Sequence, residues 1–144
     1  MFTIVAFTNA FNLIDGLDGQ SGIIAIVILS SFLLIGYLNN DQLLTTVSIL
    51  FISSIAVFLF FNWHPAKVFL GDSGSLMIGL VISVLGIKSL NYIEPVAIFY
   101  IAAIPIFDSL IVFSRRAFLR LSPFSPDKSH FHHILQIKWS VLIK

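Results

Sequence analysis

Four polar residues recur at steps of three in NAFNLIDGLDG, which runs from Asn9 to Gly19: Asn9, Asn12, Asp15 and Asp18. A glycine follows each aspartate, at Gly16 and Gly19, and apolar sequence flanks the stretch on both sides. Residues three apart are neighbours on a helix surface, so adjacent members of this ladder can touch. A strict three-step drifts about 60° per step around a helix of 3.6 residues per turn, so Asn9 and Asp18 cannot share one face. The glycines are expected to open the helix near Asp15–Gly19 and to let backbone approach a ligand. A polar helix end capped by Asp and Gly accounts for one of these aspartates. It does not account for four polar residues in register beside a bilayer, where such groups are costly and mark functional positions.

Three further places carry polar chemistry. In NWHPAKVFLGDSGSL, Asn62 to Leu76, Asp72 sits between Gly71 and Ser73 just before an apolar run. Asp or Ser there can cap a helix starting near Ser75. A helix N-terminus also attracts phosphate, and the glycines let backbone N–H groups reach an anion. The residues alone leave capping and ligand binding both open. The G-x-x-x-x-G-K-[ST] spacing of a Walker loop is absent. In SPFSPDKSHFHH, Ser122 to His133, Pro123 and Pro126 discourage helix, and His130, His132 and His133 cluster with Asp127 and Lys128. With no cysteine and no nearby Glu, a closed zinc site fits poorly, while anion binding or general acid–base work fits better. Arg115, Arg116 and Arg120 either contact phosphate or anchor a span end. Asp108 lies three residues after Pro105 inside an apolar stretch. An acid within a span is a functional candidate by default, the alternative being a paired structural acid near the interface.

These residues must be positioned by a chain of 144 residues that is 58% hydrophobic and only 10% charged. Soluble domains carry about a quarter charged residues, so the composition points to a membrane protein. Mean hydropathy is +1.00. A net charge of +1 without a basic run argues against nucleic acid as a partner. Without cysteine, disulfides and thiol catalysis are excluded. Met1 to Phe11 has no Lys or Arg and ends in the polar ladder, so a cleaved signal is not expected there.

A membrane helix needs about 20 mostly apolar residues. The expected fold is all-α, a polytopic transmembrane helix bundle with four full spans: Gly22–Leu38, Leu43–Trp63, about Ser75–Leu90 and Pro95–Ser114. Met1–Phe11 and Ile134–Lys144 read as partial spans, so the whole protein is expected to extend beyond both ends. Residues 1–144 form one membrane-embedded unit without repeats or linkers. By parity, the loops Asn12–Ser21, His64–Gly74 and Arg115–His133 share one side, with Lys67, Arg115, Arg116, Arg120 and Lys128. Only Lys88 falls at the edge of the other side, so the positive-inside rule makes the first side cytoplasmic. Asp15, Asp18, Asp72, Asp127 and all four histidines lie there, and Asp108 lies close to it.

Carboxylates grouped at a phosphate site favour Mg²⁺, a hard cation that takes oxygen ligands. A phosphorylated substrate that reaches the membrane surface, such as a lipid phosphate, fits this arrangement. An ion-coupled transporter built on Asp108 would want acids near the midplane, whereas here they crowd one face.

The motifs NAFNLIDGLDG, FNWHPAKVFLGDSGS, PIFD and SPFSPDKSHFHH stand in an order that resembles the bacterial polyprenyl-phosphate N-acetylhexosamine-1-phosphate transferases, glycosyltransferase family 4. The branch most similar moves N-acetylglucosamine-1-phosphate from UDP-GlcNAc to undecaprenyl phosphate. The resemblance implies Asp72 as the Mg²⁺ ligand (Mn²⁺ being an alternative) and Asp15 in the catalytic site. It implies Asp18 near the uracil and Phe69 stacked on the base. Asn12, Asn62 and Arg116 would bind substrate, and His130, His132 and His133 would contact the diphosphate or sugar. The implied partners are a UDP-N-acetylhexosamine and a polyprenyl phosphate in the bacterial cytoplasmic membrane, with UMP released and a homo-oligomer compatible. The family also carries an acidic pair on an earlier cytoplasmic loop that nothing in this chain matches. A truncated, non-catalytic remnant that inserts in the membrane without turnover is therefore the alternative expectation. Gln20 and Ser129 also depart from the usual pattern without removing a motif residue.

Overall fold

Inside a bilayer a backbone has no water to bond with, so an apolar run satisfies its polar groups as helix. The computed structural model describes residues 1–118 and, at 113 and 115–118, the backbone alone. Six helices follow in order: α1 (Phe2–Leu13), α2 (Gln20–Leu38), α3 (Gln42–Asn62), α4 (Gly71–Ser89), α5 (Pro95–Ile101) and α6 (Ala103–Phe118). No strand occurs among the described residues. The protein is a polytopic helical membrane protein: α2, α3 and α4 are each long and apolar enough to cross a bilayer. With 12 residues, α1 rises only about 18 Å, short of a hydrocarbon core roughly 30 Å thick.

The expected fourth span, Pro95–Ser114, is not one straight helix. It breaks at Ala102 into α5 and α6, which are bent by 76°. Pro105 gives the reason. It has no N–H for the carbonyl of Ile101, and its ring crowds that same carbonyl, which ends α5. The count reaches four only when the bent pair is taken as one span. The expected partial span Ile134–Lys144 lies outside the described residues.

The central helix is α2, which packs along both α3 and α4. Ile24, Ala25, Ile28, Leu29 and Phe32 are buried along it. By contrast, α3 buries only Leu44, Ser48, Ile55 and Asn62, steps of four and seven that mark a single seam. Its remaining face presents Leu50, Val57 and Phe60 outward, as lipid contact requires. The other principal pairing joins α1 to α4. Here Gly79 lets the helices approach closely: a Cβ added to it would stand 3.0 Å from the Thr8 Cα and 3.1 Å from the Phe11 Cβ. Small residues at helix contacts are the membrane's substitute for a hydrophobic drive between helices.

The two loops on the far side are joined by Asp41, which is 8% exposed. It caps α3 by accepting from the Leu44 N–H at 3.0 Å. It also accepts from the Tyr92 hydroxyl at 2.8 Å and pairs with the Lys88 ammonium at 3.2 Å. The Leu44 N–H, then the Tyr92 hydroxyl, hold its carboxyl down at about 2, with Lys88 adding to the effect. The carboxylate pushes the Tyr92 phenol upward in turn.

A carboxyl depressed by folding contributes stability that is complete above its unfolded value, about 3.9, and is lost as pH falls through the folded value. Thermal melting in detergent should therefore show D41N less stable than the parent near pH 6. The gap should close as the pH falls from about 4 to 2. A gap independent of pH would show that the Asp41 charge is not what holds these loops.

Candidate functional site

Two loops come together at the opposite ends of these helices: residues 14–19 between α1 and α2, and residues 63–70 between α3 and α4. Asn62, the last residue of α3, joins them. Its Oδ1 accepts from the Gly19 N–H at 2.8 Å, and its Nδ2 donates to the Val68 carbonyl at 2.8 Å. The side chain is 5% exposed, so these are bonds that water cannot replace. Gly19 has φ +76°, a left-handed conformation that glycine adopts without strain and that starts α2. The Lys67 N–H donates to the Phe61 carbonyl at 2.9 Å and closes the second loop on α3.

Asp18 makes the second crossing between the loops. Its Oδ2 accepts from the Ala66 N–H at 3.1 Å and lies 2.9 Å from the His64 Nδ1. These two contacts, the Ala66 N–H first, hold the Asp18 carboxyl below the ordinary carboxylate range.

Asp15 stands in the opposite condition. Burial raises its carboxyl above the ordinary range, and the negative charge of Asp72 adds to that. The Ser21 hydroxyl, donating at 2.6 Å, offsets part of the rise. Asp72 itself lies exposed in the first turn of α4, where the helix dipole favours an acid. It makes no cap hydrogen bond, because α4 already begins at Gly71 rather than near Ser75. Asn12 is the next-to-last residue of α1, and its Oδ1 accepts from the Ser75 hydroxyl, which ties α1 to α4 beside the two loops.

Asp15, Gly16, Leu17, Asp18, Asn62, Phe69, Leu70, Gly71 and Asp72 line one cavity of about 200 Å³. Its acids come from the first loop and from the first turn of α4, and Phe69, 72% exposed, lies on its lining. A partly buried carboxylate whose charge a second one disfavours, beside the N–H groups of a helix start, suits a hard divalent cation and a phosphate together. No group of three or more His, Cys, Asp or Glu forms a metal-ligating cluster among the described residues. A cation held here would keep several waters or take oxygens from a phosphorylated ligand, as Mg²⁺ does.

The structure thus brings together Asp15, Asp18, Asn62, Phe69 and Asp72 from the sequence reading, with Asn12 behind them. Asn9 does not join: it is exposed and donates to the Val5 carbonyl of its own helix. Arg116 lies on α6 with only its backbone described, and His130, His132 and His133 lie outside the described residues. Ser21, Ser75 and His64 also take part, unmarked by any sequence periodicity. Asp108 has a buried Oδ2 without a hydrogen-bond partner among the described residues and does not line this cavity.

Known proteins resemble this chain over most of its length. The sequence profile of glycosyl transferase family 4 matches residues 1–90. The chain is 40% identical over 136 residues to a probable undecaprenyl-phosphate N-acetylglucosaminyl 1-phosphate transferase of Bacillus subtilis (strain 168), covering 92% of this chain and 38% of that protein. It is 32% identical over 143 residues to the undecaprenyl-phosphate alpha-N-acetylglucosaminyl 1-phosphate transferase of Escherichia coli (strain K12), covering 94% and 39%. The corresponding protein of Salmonella typhi is 33% identical over the same length and shares. The chain thus spans about two fifths of the length of these curated relatives.

The Asn62 clamp yields a direct expectation. N62A should strand the buried Gly19 N–H, at roughly 1–3 kcal/mol for a buried group left unpaired, and release the more exposed Val68 carbonyl to water. Hydrogen exchange at the Gly19 amide should accelerate while amides in the middle of α2 stay protected. Unchanged protection at Gly19 would show that Asn62 does not hold the loop.

Proposed function

We propose, since this chain belongs to glycosyl transferase family 4, that it carries a nucleotide-sugar site of an enzyme that primes a cell-envelope glycan. That enzyme transfers N-acetylglucosamine-1-phosphate from UDP-GlcNAc to undecaprenyl phosphate and releases UMP. The observation that carries this reading is the convergence of Asp15, from the α1–α2 loop, and Asp72, from the first turn of α4, on one cavity with Asp18 and Phe69. The relatives' names supply the acceptor lipid and the transferred group.

The reaction is a phosphoryl transfer. An oxygen of the lipid phosphate bonds to the β-phosphorus of the UDP-sugar. The bond from that phosphorus to the oxygen bridging toward uridine breaks, and UMP departs with that oxygen. Such a reaction asks the protein chiefly for positioning and charge stabilisation. Asp72 would hold Mg²⁺, with Asp15 beside it, and the cation would neutralise charge developing on the phosphates. Phe69 would offer its face to the base, and Asp18 would accept a hydrogen bond from the uracil. Asn62 and Asn12, whose amides already bind Gly19, Val68 and Ser75, would act by holding the site walls in place.

An apolar cavity of about 190 Å³ lies farther along α1, lined by Phe7, Phe32, Ile82, Ile98 and Ile106 among others. It supports an isoprenoid chain approaching along the bilayer toward the site. By the positive-inside rule, Lys67 in the α3–α4 loop and Arg115 and Arg116 on α6 support a cytoplasmic orientation of the site. Lys88, on the other side, is paired with Asp41.

The test is D72N in the complete protein. Transfer of sugar phosphate to the lipid should fall at least about 100-fold, the scale of losing a principal charge-stabilising group. Membrane insertion should stay intact, because Asp72 is exposed and makes no cap bond. Near-normal turnover would remove Asp72 from the proposed mechanism.

A further inference from the structure

We infer that His64 is a positioning residue for the nucleotide-sugar donor, fixing the carboxylate of Asp18 so that one oxygen stays free for the ligand. The inference rests on the reading of this cavity as the donor site. The α3–α4 loop crosses to the α1–α2 loop at two side chains. Asn62 is buried and bonded to backbone through both its oxygen and its nitrogen. Asp18 is more open, with 26% of its side chain exposed, and lines the cavity.

Only one oxygen of Asp18 is engaged. Oδ2 takes both the His64 Nδ1 at 2.9 Å and the Ala66 N–H at 3.1 Å, while Oδ1 has no hydrogen bond among the described residues. A single backbone donor lets a carboxylate pivot about that bond. A second donor on the same oxygen, from a different direction, fixes the plane of the group. His64 is the side chain that supplies it. The imidazole is 80% exposed, and the pairing as such therefore adds little to folding. Its effect falls on orientation, and a hydrogen bond to a correctly oriented carboxylate is among the stronger ones a ligand can make.

The geometry selects its own controls. The amide nitrogen of Asn reaches about where Nδ1 of His stands, and that of Gln about where Nε2 stands. We would titrate UDP-GlcNAc into the complete protein by calorimetry and measure transfer kinetics for H64A, H64N and H64Q. H64A should weaken donor binding roughly tenfold and raise the donor KM similarly, with kcat and the lipid KM within about twofold. H64N should restore affinity to within about threefold of the parent, and H64Q should not. If H64A melts low, the H64N–H64Q comparison still decides. Donor affinity unchanged in H64A, or H64N no better than H64Q, would overturn the assignment. A parent protein that binds no UDP-sugar would instead overturn the donor-site reading and this inference with it.

Discussion

One buried amide fixes how the two loops that line the polar cavity meet. Asn62 bonds Gly19 on one loop and Val68 on the other, and both partners are backbone. Neither loop has secondary structure of its own to hold it. Without this bridge the acid-bearing turn after α1 and the glycine-bearing turn before α4 would be joined only through Asp18. With it, the mouth of the cavity has a fixed width, and Asp15, Asp18 and Asp72 face a common volume. The helices matter to function because they deliver Asn62 to that point: α2 and α3 form a hairpin whose near end brings Gly19 against Asn62.

The electrostatics divide the acids into two kinds. Asp18 and Asp41 have donors arranged around them, and both carboxyls are pulled below the ordinary range. Asp15 is the reverse: burial and the charge of Asp72 both work against its ionised form. A structural acid is normally surrounded by donors, as Asp41 is. An acid kept partly buried near a second acid is poised to receive a cation or a polarised ligand group, and perturbed acids of this kind cluster at functional sites. On the site side, Asp15 and Asp18 line one cavity in these opposite conditions.

Much of this was legible in the chain. Run length and apolar content located α2, α3 and α4 to within a few residues, because a bilayer leaves an apolar run little choice but helix. The glycines beside Asp15 and Asp18 marked the break between α1 and α2. The break at Ala102 had its cause in view at Pro105, yet a hydropathy window averages over such a residue and returns one span. Asp72 could be a cap or a ligand on sequence alone, and the start of α4 at Gly71 removes the cap. Asn62 and Ser75 were not legible as partners of Gly19 and Asn12. Those pairs are 43 and 63 residues apart, and only helix packing brings them together. His64 likewise gains meaning only when the two loops are seen to meet.

The most direct test of the account is D15N in the complete protein, assayed for UDP-GlcNAc binding and for thermal melting in the same preparation. A carboxyl whose pKa rises on folding costs stability once the pH exceeds its unfolded value, so removing the charge should not lower the melting temperature at pH 7. Donor binding in the presence of Mg²⁺ should nevertheless be lost. A variant that melts lower than the parent while binding the donor unchanged would contradict the account, and would make Asp15 a structural acid rather than part of the site.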